Sequence, residues 1–406
     1  MAGSWASAGA VVGAGAALDG EGSGVRVWVM TSRWRLLVMV VGVSGAGAQA
    51  SGPVLPALGF EEFAGGTGGS VQEIVESELK RSGRFRLGGG SAQWVVRAYS
   101  SAGRITGALL SADGKVAFNH QYEQLDLRDN AHAFADDIVA AVTGEPGIAL
   151  SRIAFVSDRG GVREVYVCDS DGQRIEQVTR DGGVCAAPSL SPGAVFLSYT
   201  GYASGFADVW VVDLSEGQRR KVISAPGTNS GAVFSPDGTR LALTMSHGGN
   251  PDICVALPGG GTYSRVVASR AVESSPSWAP GGQHLVFVSD ATGQPQLYVC
   301  SRRKGAPERL ATGWAKCTGP DWSPDGQRIA FTGWRGDRRS VVIYDMETAV
   351  VKEVLGGAED PSWAPDGRHL VAVQGGQNLV SLNTATGEKT RLVSGMGRLS
   401  EPSWSR

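Results

Sequence analysis

The chain has 406 residues, of which 42% are hydrophobic and 19% are charged, and its formal net charge is −2. A near-neutral balance argues against the basic surface that nucleic-acid-binding proteins carry. The length is sufficient for two domains.

The N-terminal 50 residues read as an extension followed by an export signal. Residues 1–29 are rich in Gly, Ala and Ser, and we expect them to be a dispensable or mis-assigned extension with the true start at Met30. Residues 30–50 have the three parts of a signal peptide, which are Arg33 with Arg35, the apolar run Leu36 to Val43, and the cleavage site Ala48-Gln49-Ala50. The apolar run is shorter than the ~20 residues that span a bilayer. We therefore predict cleavage after Ala50 and export, with an uncleaved anchor as the alternative.

Residues 51–148 predict a small α/β domain. The segment Val71 to Leu79 has helical apolar spacing and ends near Gly83, a C-terminal cap signal. Strands are predicted at Trp94 to Tyr99 and Thr106 to Leu110, and a second helix from about Asn130 to Val142. The linker after this domain is short, so we expect the domain to be fixed against the C-terminal part of the chain.

Residues 149–406 contain one short sequence motif that is repeated six times, which we call the repeated phrase. Its copies begin at Pro188, Ala232, Pro276, Pro320, Pro361 and Pro402, and the fullest reads Pro-Ser-Trp-Ala-Pro-Asp-Gly. The inner prolines 192, 236, 280, 324 and 365 are 44, 44, 44 and 41 residues apart. A fixed period of this length marks a stacked or circular array. Pro-Asp-Gly favours a tight turn, and four short strands per repeat predict a mainly β fold with a C-terminal six-bladed β-propeller.

The order of strands also predicts how the ring closes. The repeats begin at the second strand of a blade, near Arg152, and end on the first strand of a blade, Glu401 to Ser405. We expect the last five residues to pair with Ile153 to Val156, which removes the open sheet edges. The alternative is an open sandwich of the same strands.

Five cysteines in an exported chain raise the question of disulfides. Cys168, Cys254 and Cys300 fall in the third strands of three blades, where they serve as small buried side chains. Cys185 and Cys317 occupy equivalent positions three repeats apart. They therefore lie across the ring, too far for the ~7 Å limit on bridged Cα atoms.

The whole mature chain resembles the TolB family of the Tol–Pal system. The resemblance rests on the helix ending Glu78 to Phe85, the second helix with Ala131-His132 and Ala135-Asp136, the Thr143-Gly144 junction, the strand Arg152 to Phe155 and the six repeats. It implies a non-enzymatic periplasmic adaptor, without cofactor, metal or catalytic residue, that acts as a monomer and neither binds nucleic acid nor inserts into the membrane. In the family, the propeller mouth binds Pal, a peptidoglycan-associated lipoprotein, and the system keeps the outer membrane attached and constricts it at division.

The resemblance also implies where partners bind. We carry the Pal-facing role onto the polar residues before each Pro-Ser-Trp, which are Asn229, Ser230, Glu273, Ser274, Thr318, Glu359, Asp360 and Glu401. In the family an N-terminal arm engages the inner-membrane protein TolA. Cleavage at Ala50 would leave only Ser51 to Pro53 before the first predicted strand, so we expect a weaker, different or absent TolA contact.

Three other functions compete with the adaptor. A prolyl-oligopeptidase-type hydrolase needs a G-x-S-x-G elbow, and the nearest string, Gly201 to Gly205, has the wrong spacing. A lactonase-type hydrolase would need Ca²⁺ on the channel axis, held by residues such as Asn229, Glu273, Asp360 and Glu401. The five histidines show no zinc-binding spacing. A generic exported propeller scaffold with an unrelated partner is the third alternative.

Overall fold

The computed structural model describes residues 25–32, 35–42, 55–88, 92–123, 125–247, 249–303 and 305–406. Residues 1–54 form a unit of their own, in which Val25–Ser32 and Arg35–Gly42 pair as an antiparallel hairpin. Most of the apolar run of the predicted export signal therefore falls in a strand, and its cleavage site lies outside the described residues. Leu55–Arg406 form the second compact unit. No helix in the described ranges is both long and apolar enough to cross a membrane.

The small α/β domain at the start of the second unit is a five-stranded sheet covered by two helices. Across the sheet the strands are Arg86–Leu87, Ala57–Phe60, Trp94–Ser101, Arg104–Ser111 and Val116–Tyr122. Helix α1 is Gly68–Ser82 and helix α2 is Leu127–Thr143.

Both helices end as their sequences predict. Gly83 follows α1 with φ 61° and Gly144 follows α2 with φ 73°, the left-handed conformation that glycine adopts without strain. The two helices bury an apolar stripe against the sheet. Phe134 of α2 packs so closely on Gly107 that a Cβ there would lie 2.6 Å from its ring, so this strand position requires glycine.

The rest of the unit is a six-bladed propeller of four-stranded antiparallel sheets, which confirms the predicted fold class. Blade 1 is Leu399–Trp404, Arg152–Ser157, Glu164–Asp169 and Glu176–Gln177, from the channel outward. Blade 2 is Cys185–Leu190, Phe196–Gly201, Asp208–Asp213 and Arg219–Ile223. Blade 3 is Asn229–Phe234, Leu241–Met245, Asp252–Ala256 and Tyr263–Val267.

The remaining blades follow the same order. Blade 4 is Glu273–Trp278, His284–Ser289, Gln296–Ser301 and Glu308–Arg309. Blade 5 is Lys316–Trp322, Arg328–Arg335, Arg338–Asp345 and Val351–Gly356. Blade 6 is Ala358–Trp363, His369–Gln374, Asn378–Asn383 and Lys389–Val393. We call the end of the channel where the inner strands begin the mouth end, and the end where the repeated turns lie the turn end.

The ring closes as the strand order predicts. Leu399–Trp404 pairs antiparallel with Arg152–Ser157, with Ser403 opposite Ala154 and Trp404 opposite Ile153. Trp404 is 2% exposed, and its indole N–H donates to the Ser151 hydroxyl at 2.7 Å. The last inner strand therefore completes the first blade in sequence.

The small domain is tied to the propeller at the turn end. Arg128 of α2 pairs with Asp171 of blade 1, and Arg174 of blade 1 pairs with Asp126 and Asp129 at the start of α2. Asp136 of α2 accepts the N–H groups of Ala149 and Leu150, at 2.8 and 3.0 Å, and so anchors the linker. These contacts lie in the outer turns of blade 1, at the opposite end from the mouth.

Candidate functional site: the channel mouth

All six inner strands are kinked at the same place. The residue directly before the repeated phrase has positive φ in every blade, and these residues are Ala187, Gly231, Ser275, Gly319, Asp360 and Glu401. The register of each inner strand with its neighbour shifts at this point, which is a β-bulge. Four of the six residues are not glycine, so the conformation is imposed by the fold despite its cost. The bulge places one residue per blade around the mouth.

A second position, two residues before the bulge, is a packing position. Its six residues are Cys185, Asn229, Glu273, Cys317, Ala358 and Leu399, and each is at most 2% exposed. Four of them are small or apolar, which is what a site between blades accepts. All five cysteines of the chain are buried and none is bonded to another.

Two of the predicted partner-binding residues therefore belong to the packing layer. Asn229 is fully buried, and its amide donates to the carbonyl oxygens of Ala207 and Ala225 at 3.0 and 2.7 Å. Glu273 is 2% exposed and accepts hydrogen bonds from Ser269 and Ser289. Both side chains are buried because each lies two residues before the bulge, in the layer between blades. Their part in partner binding stays a prediction.

The other predicted residues lie nearer the channel. Ser230, Ser274 and Glu359 are half-buried at the position before the bulge. Thr318, Asp360 and Glu401 line the central cavity, whose volume is ≈ 340 Å³. Of the eight predicted residues, the structure brings only these three to the cavity.

Asp360 and Glu401 form an acidic sector on neighbouring blades of the mouth. One carboxylate oxygen of Asp360 accepts the N–H of Glu401 at 3.1 Å, and Glu401 in turn accepts the N–H of Ala187 at 2.7 Å. Glu401 also pairs with Arg163 at 3.2 Å, and Glu359 pairs with Arg339. Burial raises the pKa of the Asp360 carboxyl to about 6, against the lowering effect of the Glu401 N–H, and the charges of Glu359 and Glu401 raise it further.

The remaining bulge residues form a neutral sector. Ala187, Gly231, Ser275 and Gly319 carry no charge, although their backbone follows the same left-handed path. The backbone of the mouth therefore has the same conformation in all six blades, whereas the charged bulge residues lie only on the side formed by Asp360 and Glu401.

Deeper in the channel, side chains of one blade form hydrogen bonds to the backbone of the next, and we call these bonds the stitches. In five of the six phrases, the side chain of the second residue accepts a backbone N–H from the following blade. Ser277 accepts from Trp322 at 3.0 Å, Asp321 from Trp363 at 2.7 Å, and Ser362 from Trp404 at 3.0 Å. Ser403 and Ser189 accept likewise from Leu190 and Phe234. At the same position blade 3 has Val233, which has no side-chain acceptor.

These stitching residues and Arg406 were missed by sequence reasoning. The guanidinium of Arg406 donates to Asp321 at 2.5 Å and to the carbonyl of Trp322 at 2.6 Å, inside the cavity. A strict alignment of the six phrases would have shown Asp321 as an acid at a serine position. Nothing in the repeat would have assigned Arg406 as its partner.

Clusters of metal-binding residue types occur elsewhere, at the seam with the small domain. In the described residues they are Glu78 with His132 and Asp171, and Asp129 with His132 and Asp169. Each carboxylate is ion-paired, to Arg81, Arg128 or Arg174. This network fits an electrostatic tie between the domains. At the channel, the four residues considered for an axial Ca²⁺ do not converge, because Asn229 and Glu273 lie in the packing layer.

Comparisons with solved structures agree with the fold. TolB from Acinetobacter baumannii superposes with a TM-score of 0.73 at 24% identity, covering 87% of this chain and 97% of that one. A putative TolB from Agrobacterium tumefaciens gives 0.50 at 19% identity, covering 61% and 90%. At these identities the likeness is one of fold.

Comparisons with curated sequences lead to a family. A TolB homolog of Chlorobium chlorochromatii is 36% identical over 122 residues, 29% of this chain and 28% of that protein. The Tol-Pal system protein TolB of Geobacter metallireducens is 43% identical over 67 residues, 16% of each. The matched part is thus less than a third of either relative. The family model described as the TolB β-propeller domain, PD40, matches residues 139–406, and the chain belongs to that family.

Proposed function

We propose that this chain is a non-enzymatic periplasmic adaptor of a Tol–Pal-type system. In this role its channel mouth docks a Pal-like peptidoglycan-associated lipoprotein, and the complex supports outer-membrane integrity and constriction at cell division. The observation that carries the proposal is the acidic sector, Asp360 and Glu401, at the mouth of a cavity in a TolB-type propeller.

The position of the small domain supports docking at the mouth. Its ion pairs with the propeller, Arg128–Asp171 and Arg174–Asp129, lie at the turn end. The mouth end is free of these contacts, and its cavity is lined by both apolar proline rings and polar groups. Such a lining suits a partner segment that inserts apolar side chains and donates hydrogen bonds to carboxylates.

The chemistry of the acidic sector suits the binding of a partner. Glu401 is engaged by the Ala187 N–H and by Arg163, so its carboxylate is held in place as an acceptor. Asp360 is held by the Glu401 N–H. Electrostatic complementarity of this kind contributes mainly specificity and association rate in protein complexes.

The location and the second partner rest on the N-terminal sequence. The predicted signal at residues 30–50 supports export, and the Tol-Pal names of the relatives support the periplasm as the compartment. Contact with a TolA-like inner-membrane protein through the N-terminal segment is a weaker part of the proposal, because the predicted arm is only Ser51 to Pro53.

Site-specific photo-cross-linking tests which end of the propeller docks the lipoprotein. A photoreactive residue at Val272, exposed in the mouth-side loop before blade 4, should cross-link to the organism's peptidoglycan-associated lipoprotein. The matched control is the same residue at Thr239, exposed at the turn end. Cross-linking at Thr239 alone, or at neither position, would overturn the proposal.

A further inference from the structure

A second, smaller cavity lies between α1 and blade 6, at the turn end and separate from the channel. Its volume is ≈ 200 Å³, and its lining includes Ser77, Lys80 and Arg81 from α1 and His369, Ser381 and Asn383 from blade 6. Pockets for drug-sized ligands begin at about 300 Å³. This cleft is therefore of a size for a small ion or a terminal group of a larger molecule.

Asn383 offers the cleft a buried donor. The residue is 3% exposed, and its side-chain oxygen accepts the N–H groups of Ala385 and Thr386 at 3.1 and 3.2 Å. This bond pair fixes the amide orientation and turns Nδ2 toward α1, where it lies 2.6 Å from the place a Cβ of Gly83 would occupy. Nδ2 has no hydrogen-bond partner among the described residues.

Arg81 repeats this pattern on the α1 side of the cleft. One Arg81 nitrogen, Nη2, bonds to Glu78 and Ser170, whereas its Nε and Nη1 are buried without a partner in the described chain. A buried donor without an acceptor is destabilising, because it has lost its hydrogen bonds to water. Several at one cleft indicate an acceptor that comes from outside the chain.

The charge around the cleft has the sign that an anion needs. Lys80 is exposed at its edge and forms no ion pair with the described residues, and the lining contains a single acid, Glu388. Just beyond, Arg84 and Arg368 lie near each other, and burial together with the charge of Arg368 lowers the pKa of Arg84, while Asp366 and Glu145 oppose this effect. The Nε of Arg368 is also buried without a described partner.

We propose that the cleft between α1 and blade 6 binds a small oxyanion of the phosphate class. The oxyanion accepts hydrogen bonds from Arg81 and Asn383 and is neutralised by Lys80. Because these residues come from both domains, the bound oxyanion also joins the small domain to the propeller. The site is separate from the mouth, so the proposal stands or falls independently of lipoprotein docking.

Isothermal calorimetry with inorganic phosphate tests this site in the full chain. Titrations at constant ionic strength, with chloride replacing phosphate, should show saturable binding to one site in the wild type. Asn383→Asp keeps the oxygen that accepts the Ala385 and Thr386 N–H groups but replaces Nδ2 by a repelling oxygen. It should weaken phosphate binding at least about tenfold, the value of one lost hydrogen bond to a charged ligand.

Two lysine variants complete the experiment. Lys80→Gln, an exposed change that leaves the fold intact, should also weaken phosphate binding several-fold. Lys352→Gln removes the same charge from an exposed strand of blade 5 and should leave binding unchanged. Absence of saturable binding in the wild type overturns the proposal, as does equal binding by Lys80→Gln and Lys352→Gln.

Discussion

The two sectors of the channel mouth share a backbone and differ in chemistry. In the neutral sector, Ala187, Gly231, Ser275 and Gly319 adopt the left-handed bulge with small side chains. In the acidic sector, Asp360 and Glu401 adopt the same φ and place two carboxylates side by side. The repeat therefore determines where a mouth residue lies, whereas substitution within single blades determines which side chain stands there. Function in this propeller is to be sought where the six copies differ.

The largest expected effect comes from opening the ring next to the acidic sector. Trp404 is buried in the closing strand, three residues after Glu401, and bonds to Ser151. Trp404→Ala should lower the free energy of unfolding by about 3–5 kcal/mol, because a large aromatic side chain leaves a cavity. Chemical denaturation measures this. Phe206→Ala, at a side chain 70% exposed, is the control and should change stability by less than about 0.5 kcal/mol.

A smaller loss of stability should separate the packing layer from the mouth. Asn229→Ala leaves the buried carbonyl oxygen of Ala207 and the half-buried carbonyl oxygen of Ala225 without their donor. It should reduce the free energy of unfolding by about 1–3 kcal/mol while leaving lipoprotein affinity intact. Ser230→Ala, one residue along and half-buried, should be near neutral in denaturation. A folded Asn229→Ala protein with lost affinity would return Asn229 to the docking face.

The acidic sector should give a pH signature that the neutral sector lacks. The pKa of Asp360 is raised from 3.8 to about 6, so between these values the folded state binds more protons than the unfolded state. Stability should therefore fall as pH rises from about 4 to 6, by an amount on the order of 1 kcal/mol. Asp360→Asn should flatten this part of the curve, measured by denaturation at several pH values. An unchanged slope would show that Asp360 does not titrate in this range.

The smallest effect is expected at the stitches between blades. Ser403 accepts the Leu190 N–H at 3.2 Å, and blade 3 has Val233 at the same position. Ser403→Ala should cost about 0.5–1.5 kcal/mol, the usual value of one hydrogen bond. The measurement is the melting temperature of this variant compared with that of Ser274→Ala. Ser274 is also half-buried but is not one of the residues that bond to the next blade, so this variant is the control. Equal melting temperatures would mean that the stitches add nothing to ring stability.

Much of the fold follows from the sequence because its signals are local and repeated. The 44-residue period, the Pro-Asp-Gly turns and the strand order predicted six blades and the pairing of Trp404 with Ile153, which the structure has. The glycines Gly83 and Gly144 predicted the helix ends for the same reason. Each signal states a backbone requirement that few residues meet.

The residues at the mouth were only partly predictable, because the bulge decides which side chains of each inner strand face the channel. The polar residues before Pro-Ser-Trp form one group by their position in the sequence, yet Asn229 and Glu401 lie in different layers of the same kind of strand. One inserted residue reverses which side chain faces the channel, and non-glycine residues such as Asp360 give no sign of it. The cleft at α1 was not predictable either, since it joins residues such as Lys80 and Asn383 that are far apart in sequence.

The most direct test of the account compares lipoprotein affinity between the two sectors by calorimetry. The double variant Asp360→Asn/Glu401→Gln keeps the oxygens that accept the Glu401 and Ala187 N–H groups and removes both charges. We predict that it binds the organism's peptidoglycan-associated lipoprotein at least about tenfold more weakly than the wild type, whereas Ser275→Ala in the neutral sector binds equally well. Wild-type affinity in the double variant, or an equal loss in Ser275→Ala, would contradict docking at the acidic sector.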